Sequence, residues 1–383
     1  MIPILDLTPQ NQALQPQLDN AILDVVHSGQ YILGKTVEQF ERAMARWLDT
    51  ALPPHVISCA NGSDALYLAL KTLGIGPGDE VITTPFTYIA TSESILRAGA
   101  TPVFVDIDAT SFNLDTHQLT DKLTAKTRAV MPVHLFGYPA NMPAVMAFAR
   151  QHGLKVIEDC AQAIGATTTV DGQVTPVGLI GDIGCFSFFP SKNLGAFGDG
   201  GMCVTRDETL AQTLSMMRVH GSRERYYHEI SGINSRLDAI QAAILSVKLP
   251  HLTTYNTQRQ QVAERYRQYL SHLKPYLVCP EAPVNGTTHV YHQFTVRLVD
   301  AAISRSALLD KLVQAGIQTM IYYPVPAYRQ PSHSCLGLLP DTFPQSEMYS
   351  QQVFSLPMFP ELTEDQQKKV CDQLAQLLSK VAV

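Results

Sequence analysis

The chain has 383 residues, 45% of them hydrophobic and 16% charged, with a formal net charge of −6. That balance excludes a disordered chain, and the lack of any basic run excludes a nucleic-acid partner. The length exceeds what one ordinary hydrophobic core organises, so one large domain and one smaller domain are expected.

The opening MIPILDLTPQ carries Asp6 and two prolines and has no basic stretch, which argues against a secretory leader. The apolar runs are far shorter than a membrane span and are interrupted by Gly or Pro. Seven cysteines are scattered singly with no CxxC, as suits reduced thiols in a cytoplasmic protein. Neither HExxH nor a Walker loop is present, so no metal is expected.

From about 55 to 205, seven apolar runs alternate with helical patterns: HVISC, EVITT, TPVFVD, AVMPV, KVIED, CFSFF and MCVT. In SDALYLALKTLG the residues Leu66, Ala69, Leu70 and Leu73 follow helical spacing, and Gly74 ends the helix. Continuous β-branched and aromatic runs separated by helices predict a parallel sheet covered on both faces: an α/β domain over 1–245. Beyond that the rhythm changes. TQRQQVAERYRQYLSHL reads as a helix, YHQFTVRLV as an alternating strand, SRSALLDKLVQAG as a helix, and IQTMIYY as a short strand. The last helix opens on Thr363 and Gln366 placed as a capping box, with Val370, Leu374, Leu377, Leu378 and Val381 as its apolar face. Residues 246–383 therefore read as a smaller α+β domain.

Three segments at predicted strand ends carry chemistry, because ligands of open α/β sheets sit there. In CANGSDALYLAL, Gly62 lets the backbone approach closely, and the helix start presents unpaired N–H groups and a positive dipole end. Together with the Ser63 hydroxyl these suit a phosphate; the plainer alternative makes Ser63 an ordinary N-cap. In LKVIEDCAQAIGA, Glu158 and Asp159 end an apolar strand, where a carboxylate needs a cationic partner or strong donors. A protonated pyridine nitrogen would serve, and Asp159 is our choice of the two, with Gln162 in reach of a ring substituent. Its plainer alternative is a helix cap. In GDIGCFSFFPSKNLGAFGDGG, Lys192 lies between an aromatic strand and a glycine-rich loop. Apolar surroundings lower a lysine's pKa and make it a Schiff-base nucleophile, whereas an isolated lysine is ordinarily a solvated surface residue. Ser187 is a further phosphate donor.

Taken in order, NGSDALYLAL, GDEVITTPFTYIAT, GATPVFVDID, PVHLFGYPA, VIEDCAQAIGA, FSFFPSKNLGAFGDGGM and GINSRLDAIQAAIL resemble the DegT/StrS-type sugar aminotransferases, which are fold type I pyridoxal-phosphate (PLP) enzymes, and the resemblance implies a mostly parallel seven-stranded sheet sandwiched by helices. The resemblance implies that Lys192 bonds covalently to the cofactor and that Asp159 pairs with the pyridine nitrogen. It sets Gln162 beside the ring, Tyr88 against the ring face, and Gly62, Ser63, Asp64 and Ser187 at the cofactor phosphate. Asn234 would reach the phosphate of a neighbouring subunit, which implies a homodimer with shared active sites. Arg236, Tyr322 and Tyr323 fall near the substrate. IYYPVPAYRQ is similar to the HYPxPxHxQ segment of members acting on 3-oxo sugars, with Tyr322 and Tyr328 where histidines are usual. The implied activity is ping-pong amino transfer from L-glutamate to a nucleotide-linked oxo sugar. Alternatives are a 4-oxo sugar or cyclitol ketone as acceptor, a PLP dehydratase (in which histidine replaces the lysine), and a non-catalytic PLP-binding regulator. A nicotinamide oxidoreductase would need GxGxxG where NGSDA stands.

Cys160 reads as a buried filler, Phe186, Phe188 and Phe189 as core, and His134 and His220 as structural. Arg223, Arg225, Tyr226 and Tyr227 form a basic, aromatic loop, either solvated or gripping a diphosphate.

Overall fold

The structure, a computed structural model, describes residues 1–299 and 303–379. In chain order the strands are β1 (His55–Cys59), β2 (Glu80–Thr83), β3 (Thr101–Phe104), β4 (Thr127–Val130) and β5 (Lys155–Asp159). A hairpin, β6 (Thr167–Val170) and β7 (Gln173–Pro176), precedes β8 (Ile183–Ser187) and β9 (Gly201–Thr205). Seven of these strands form one sheet in the order β1-β9-β8-β5-β4-β2-β3. Only β9 runs against its neighbours; the remaining pairs are parallel.

Because successive side chains alternate across a strand, Val56 and Ile57 on β1 enter different apolar clusters, as do Val156 and Ile157 on β5. Ile57, Ile157 and Cys185 meet Leu66 and Leu70 of the helix Gly62–Thr72. On the opposite face Val156 meets Val145 and Phe148 of the helix Met142–His152, and Val56 joins Phe40 and Ala242. Covering both faces makes the strands continuously apolar. Phe186 and Phe188 are fully buried, each contributing about 2–3 kcal/mol by area burial. Phe189, expected in the core, is instead 52% exposed, because β8 has ended at Ser187 and the chain is leaving the sheet.

After the short hairpin β10 (Ser222–Glu224) and β11 (Tyr227–His228), a second sheet of β12 (Leu277–Val278), β13 (Phe294–Leu298) and β14 (Val353–Leu356) is wholly antiparallel. Its apolar face packs with the helices Leu252–Tyr269, Arg305–Gln314 and Glu364–Ser379, and Ile2 from the start of the chain joins that cluster. The capping box forms: Thr363 N–H donates to Gln366 Oε1 (3.0 Å) and Gln366 N–H to Thr363 Oγ1 (3.3 Å). Val370, Leu374 and Leu378 are buried and Leu377 packs at the edge; Val381 lies outside the described residues. The strand expected at 317–323 does not form. Ile317 bridges to Ile2 while Met320 bridges to Ser355, and two different partners three residues apart cannot make one ladder. No helix among the described residues is long and apolar enough to cross a membrane.

Candidate active site

Four chain segments leave the large sheet at one end, after β1, β2, β5 and β8, and their side chains converge there. The turn after β1 is capped by Asn61, whose Oδ1 accepts the Asp64 N–H at 2.8 Å. Ser63 is thus not the cap but an exposed first-turn residue. Gly62 abuts the end of β8: a Cβ there would lie 2.7 Å from Ser187 Cβ and 3.2 Å from its Oγ. A Cβ on Gly201 would lie 2.5 Å from the Asn61 carbonyl carbon. Glycine at both positions brings a helix N-terminus against the Ser187 hydroxyl, a basin suited to a phosphate dianion. Asp64 has its N–H engaged by Asn61 and its carboxylate paired with Arg97 at 2.8 Å.

The two carboxylates at the end of β5 do different work. Glu158 is fully buried and accepts the N–H groups of Gly178 (2.9 Å), Ile180 (2.8 Å) and Gly181 (2.7 Å), and His134 Nε2 lies 3.1 Å away. His134 Nδ1 accepts the Ala140 N–H (3.0 Å), which assigns the proton to Nε2. His134, Glu158 and Cys160 cluster within 4.8 Å, but the carboxylate is occupied by loop N–H groups, so the cluster is structural. Among the described residues Asp159 has two donors, Thr91 Oγ1 to Oδ2 (2.8 Å) and Ala161 N–H to Oδ1 (3.1 Å). Burial pushes its pKa up; Thr91, Ala161 and the Lys192 charge pull it back. A carboxylate with spare lone pairs in a poorly hydrated place suits a cationic ring N–H.

Lys192 sits on a tight loop. Its N–H donates to Phe189 O and the Ala196 N–H to Phe188 O, both at 2.8 Å. A Cβ on Gly195 would lie 2.2 Å from Pro190 O. Burial lowers the Lys192 amine to about 8, against the opposing pull of Asp159, so a useful fraction is the neutral nucleophile. Gln162 is held by both ends of its amide: Oε1 accepts the Phe136 N–H (2.6 Å) and Nε2 donates to the Tyr323 hydroxyl (2.9 Å). The Tyr323 ring lies 6.4 Å from that of Tyr88, which is 59% exposed, and 5.9 Å from that of Tyr322. Asp159, Gln162, Lys192, Tyr88 and Tyr323 therefore share one wall, next to the Gly62–Ser187 basin.

Other expected residues stand elsewhere. Asn234 is exposed, its backbone bridged to Val219. Arg236 is half-buried, and its Nε has no hydrogen-bond partner among the described residues. Tyr328 is buried between Phe104 and Phe343 with its hydroxyl on Glu347, so this departure from the HYPxPxHxQ pattern lies in an apolar cluster. A cavity of about 490 Å³ opens between 108–117 and 280–295, but neither Lys192 nor Asp159 lines it. Two contributors had escaped sequence reasoning. Thr91 sits in an ordinary-looking helix whose only clue is its run of buried hydroxyls. Lys248, a cation within apolar AAILSVKL, is 2% exposed and donates to Gly195 O at 2.9 Å, bracing the Lys192 loop.

These residues fit PLP: a basin no Cβ could enter for the phosphate, an acid for the ring nitrogen, and a low-pKa lysine for the aldehyde. The chain matches the DegT/DnrJ/EryC1/StrS aminotransferase family over residues 12–375. It is 47% identical, over 98% of both chains, to a Geobacillus stearothermophilus protein named "Pleiotropic regulatory protein". It is 45% identical, again over 98% of both chains, to the UDP-N-acetyl-3-dehydro-alpha-D-glucosamine 3-aminotransferase of Acidithiobacillus ferrooxidans. Among solved structures, S. venezuelae DesV in complex with a ketimine intermediate matches with a TM-score of 0.92 and 41% identity, covering 98% of each chain.

Proposed function

Because the chain belongs to the DegT/DnrJ/EryC1/StrS aminotransferase family and is a PLP-dependent aminotransferase, we propose that it aminates a nucleotide-linked oxo sugar, the 3-oxo sugar in preference, with L-glutamate as donor. The observation that carries this reading is the pairing of a buried, incompletely satisfied Asp159 with a Lys192 amine lowered to about 8. The 3-dehydro sugar in the name of the Acidithiobacillus relative supports the acceptor.

Bound PLP supplies an aldehyde for the amino group and an electron-withdrawing ring. Asp159 would hold a proton on the ring nitrogen, and the Thr91 hydroxyl favours the ionised carboxylate that this needs. Gly62, Ser63 and Ser187 would bind the phosphate and Tyr88 would cover the ring face, with Gln162 oriented by Tyr323. Lys192, whose neutral form is well populated near pH 8, takes the proton from the donor α-carbon. We assign Arg236, Tyr322 and Tyr323 to the oxo sugar and Asn234 to the phosphate of a second copy, in a cytoplasmic homodimer whose seven cysteines stay unpaired. We place the domain division at 245/246.

The test incubates purified enzyme with glutamate and a panel of 3-oxo and 4-oxo sugar nucleotides and cyclitol ketones, with products read by mass and regiochemistry. Amino transfer to a 3-oxo sugar is expected. Amination of 4-oxo acceptors alone would replace the regiochemistry, and PLP binding with no 2-oxoglutarate formed would favour the regulatory role named for the Geobacillus relative.

A further inference from the structure

Lys192 and its neighbour Asn193 differ in their surroundings. The lysine is partly exposed, whereas Asn193 is 6% exposed and its amide is fully engaged. Its Nδ2 donates to Asn256 Oδ1 (2.8 Å) and Val290 O (3.0 Å), and its Oδ1 lies 3.2 Å from His292 Nδ1. An amide oxygen only accepts, so His292 carries its proton on Nδ1. Burial, with the Lys192 charge added, holds the His292 pKa well below the usual value and keeps the ring neutral.

Asn256, on the helix Leu252–Tyr269, continues the chain of amides: its Nδ2 donates to Ile164 O at 3.0 Å. Ile164 closes the turn that begins at Asp159, where the Ala163 N–H donates to Cys160 O and the Ala166 N–H to Ala163 O, each at 2.9 Å. Gly165 has φ +88, and a Cβ there would lie 2.5 Å from Asn256 Nδ2, so the amide fills the space a larger residue would need. Two side-chain amides thus connect the residue after Lys192 to the turn that bears Asp159 and Gln162.

We infer that Asn193 and Asn256 form a bracket that fixes the Lys192 loop against the Asp159 turn, which makes both of them positioning residues for amino transfer. The inference rests on the reading of Lys192 as the covalent lysine. A reacting amine displaced by about 1 Å loses on the order of a hundredfold in rate. Lys248 braces the loop at Gly195 O, and three hydrogen bonds at Asn193 hold it at the residue next to the lysine.

The experiment compares four PLP-loaded enzymes: wild type, N193A, N256A and the double variant, with K192A alongside. Each single variant is expected to keep its cofactor on desalting and to lose about tenfold or more in kcat while KM for L-glutamate stays within about threefold. The pH midpoint of the visible band of the lysine-bound cofactor should also move, because the amine's place relative to Asp159 has changed. The double variant should be no slower than the slower single, since breaking either end opens the same bracket. Losses that multiply in the double variant, or a band midpoint that stays put while only the melting temperature falls, would overturn the inference. If N193A fails to fold, N256S carries the same readings with a smaller cavity. K192A must lose the visible band. If it kept the band the lysine assignment itself would fail, whereas a normal N256A beside a bandless K192A would defeat only the bracket.

Discussion

Thr91 Oγ1 donates to Asp159 Oδ2 at 2.8 Å, and Thr87 Oγ1 lies 2.9 Å from Thr91 Oγ1. The one Thr91 proton is spent on the carboxylate, so Thr87 must be the donor to Thr91. A two-hydroxyl chain thereby feeds the buried acid, opposing the desolvation that pushes its pKa up.

Replacing Thr91 by Val removes the strongest stabiliser of the charged carboxylate. The Asp159 pKa then rises, the ionised fraction falls first at low pH, and the acid limb of the kcat profile shifts to higher pH. On that limb the loss should be about tenfold, the effect of one hydrogen bond to a charged group. A pH–rate profile on T91V reads this directly; superimposable acid limbs would rule it out.

Lys192 is a cation that burial disfavours, with its amine at about 8 against 10.5 for an unburied lysine. Without cofactor, the folded state gives up its proton near 8 while the unfolded chain holds its own to about 10.5. The unfolded state thus binds more protons between those values, and wild-type stability rises with pH across that window. Apo K192M should be about 1–3 kcal/mol more stable than apo wild type near pH 7, an advantage that shrinks as pH approaches 10. Urea unfolding of both apoproteins at pH 7 and 9.5 measures it.

Gly62→Ala places a methyl 2.7 Å from Ser187 Cβ, so the helix start and the end of β8 must separate. The expected result is cofactor affinity weakened about 10–100-fold, equal to about 1.4–2.8 kcal/mol, in a titration of apoenzyme with PLP. Adding S187G removes the opposing side chain. That double variant should recover part of the affinity if the clash, rather than the lost Ser187 hydroxyl, dominates.

The adjacent carboxylates should separate stability from activity. Glu158→Ala leaves the N–H groups of Gly178, Ile180 and Gly181 without their buried acceptor, at a cost of about 3–5 kcal/mol. Asp159→Asn keeps one oxygen to accept the Ala161 N–H, and the Thr91 hydroxyl can turn to accept from the new amide NH2, so the unfolding midpoint should move little while turnover collapses. Equal stability losses in the two variants would contradict the division of labour.

Much of the site was legible because its chemistry is written locally. Asp159, Ser187 and Lys192 each stand at or just past a strand end, where an apolar run meets a polar residue and a turn. The Thr363–Gln366 box was legible for the same reason, since both partners lie within one helical turn. Phe189 and the 317–323 segment misled because a strand is defined by its neighbours: one run of apolar residues does not say where pairing stops or how many partners it meets.

What the sequence determined by itself was the α/β rhythm, the order of the sheet's seven strands along the chain, and the residue types at the ends of those strands, all set by periodicity and by contacts a few residues apart. The tertiary structure alone decided that Glu158 is sealed by the 178–181 loop while Asp159 is left open, that Thr91 reaches across 68 positions to the acid, and that Asn256 joins the loop of Lys192 to the turn of Asp159. Those choices depend on which distant backbone donor fills each lone pair, and no local pattern carries that information.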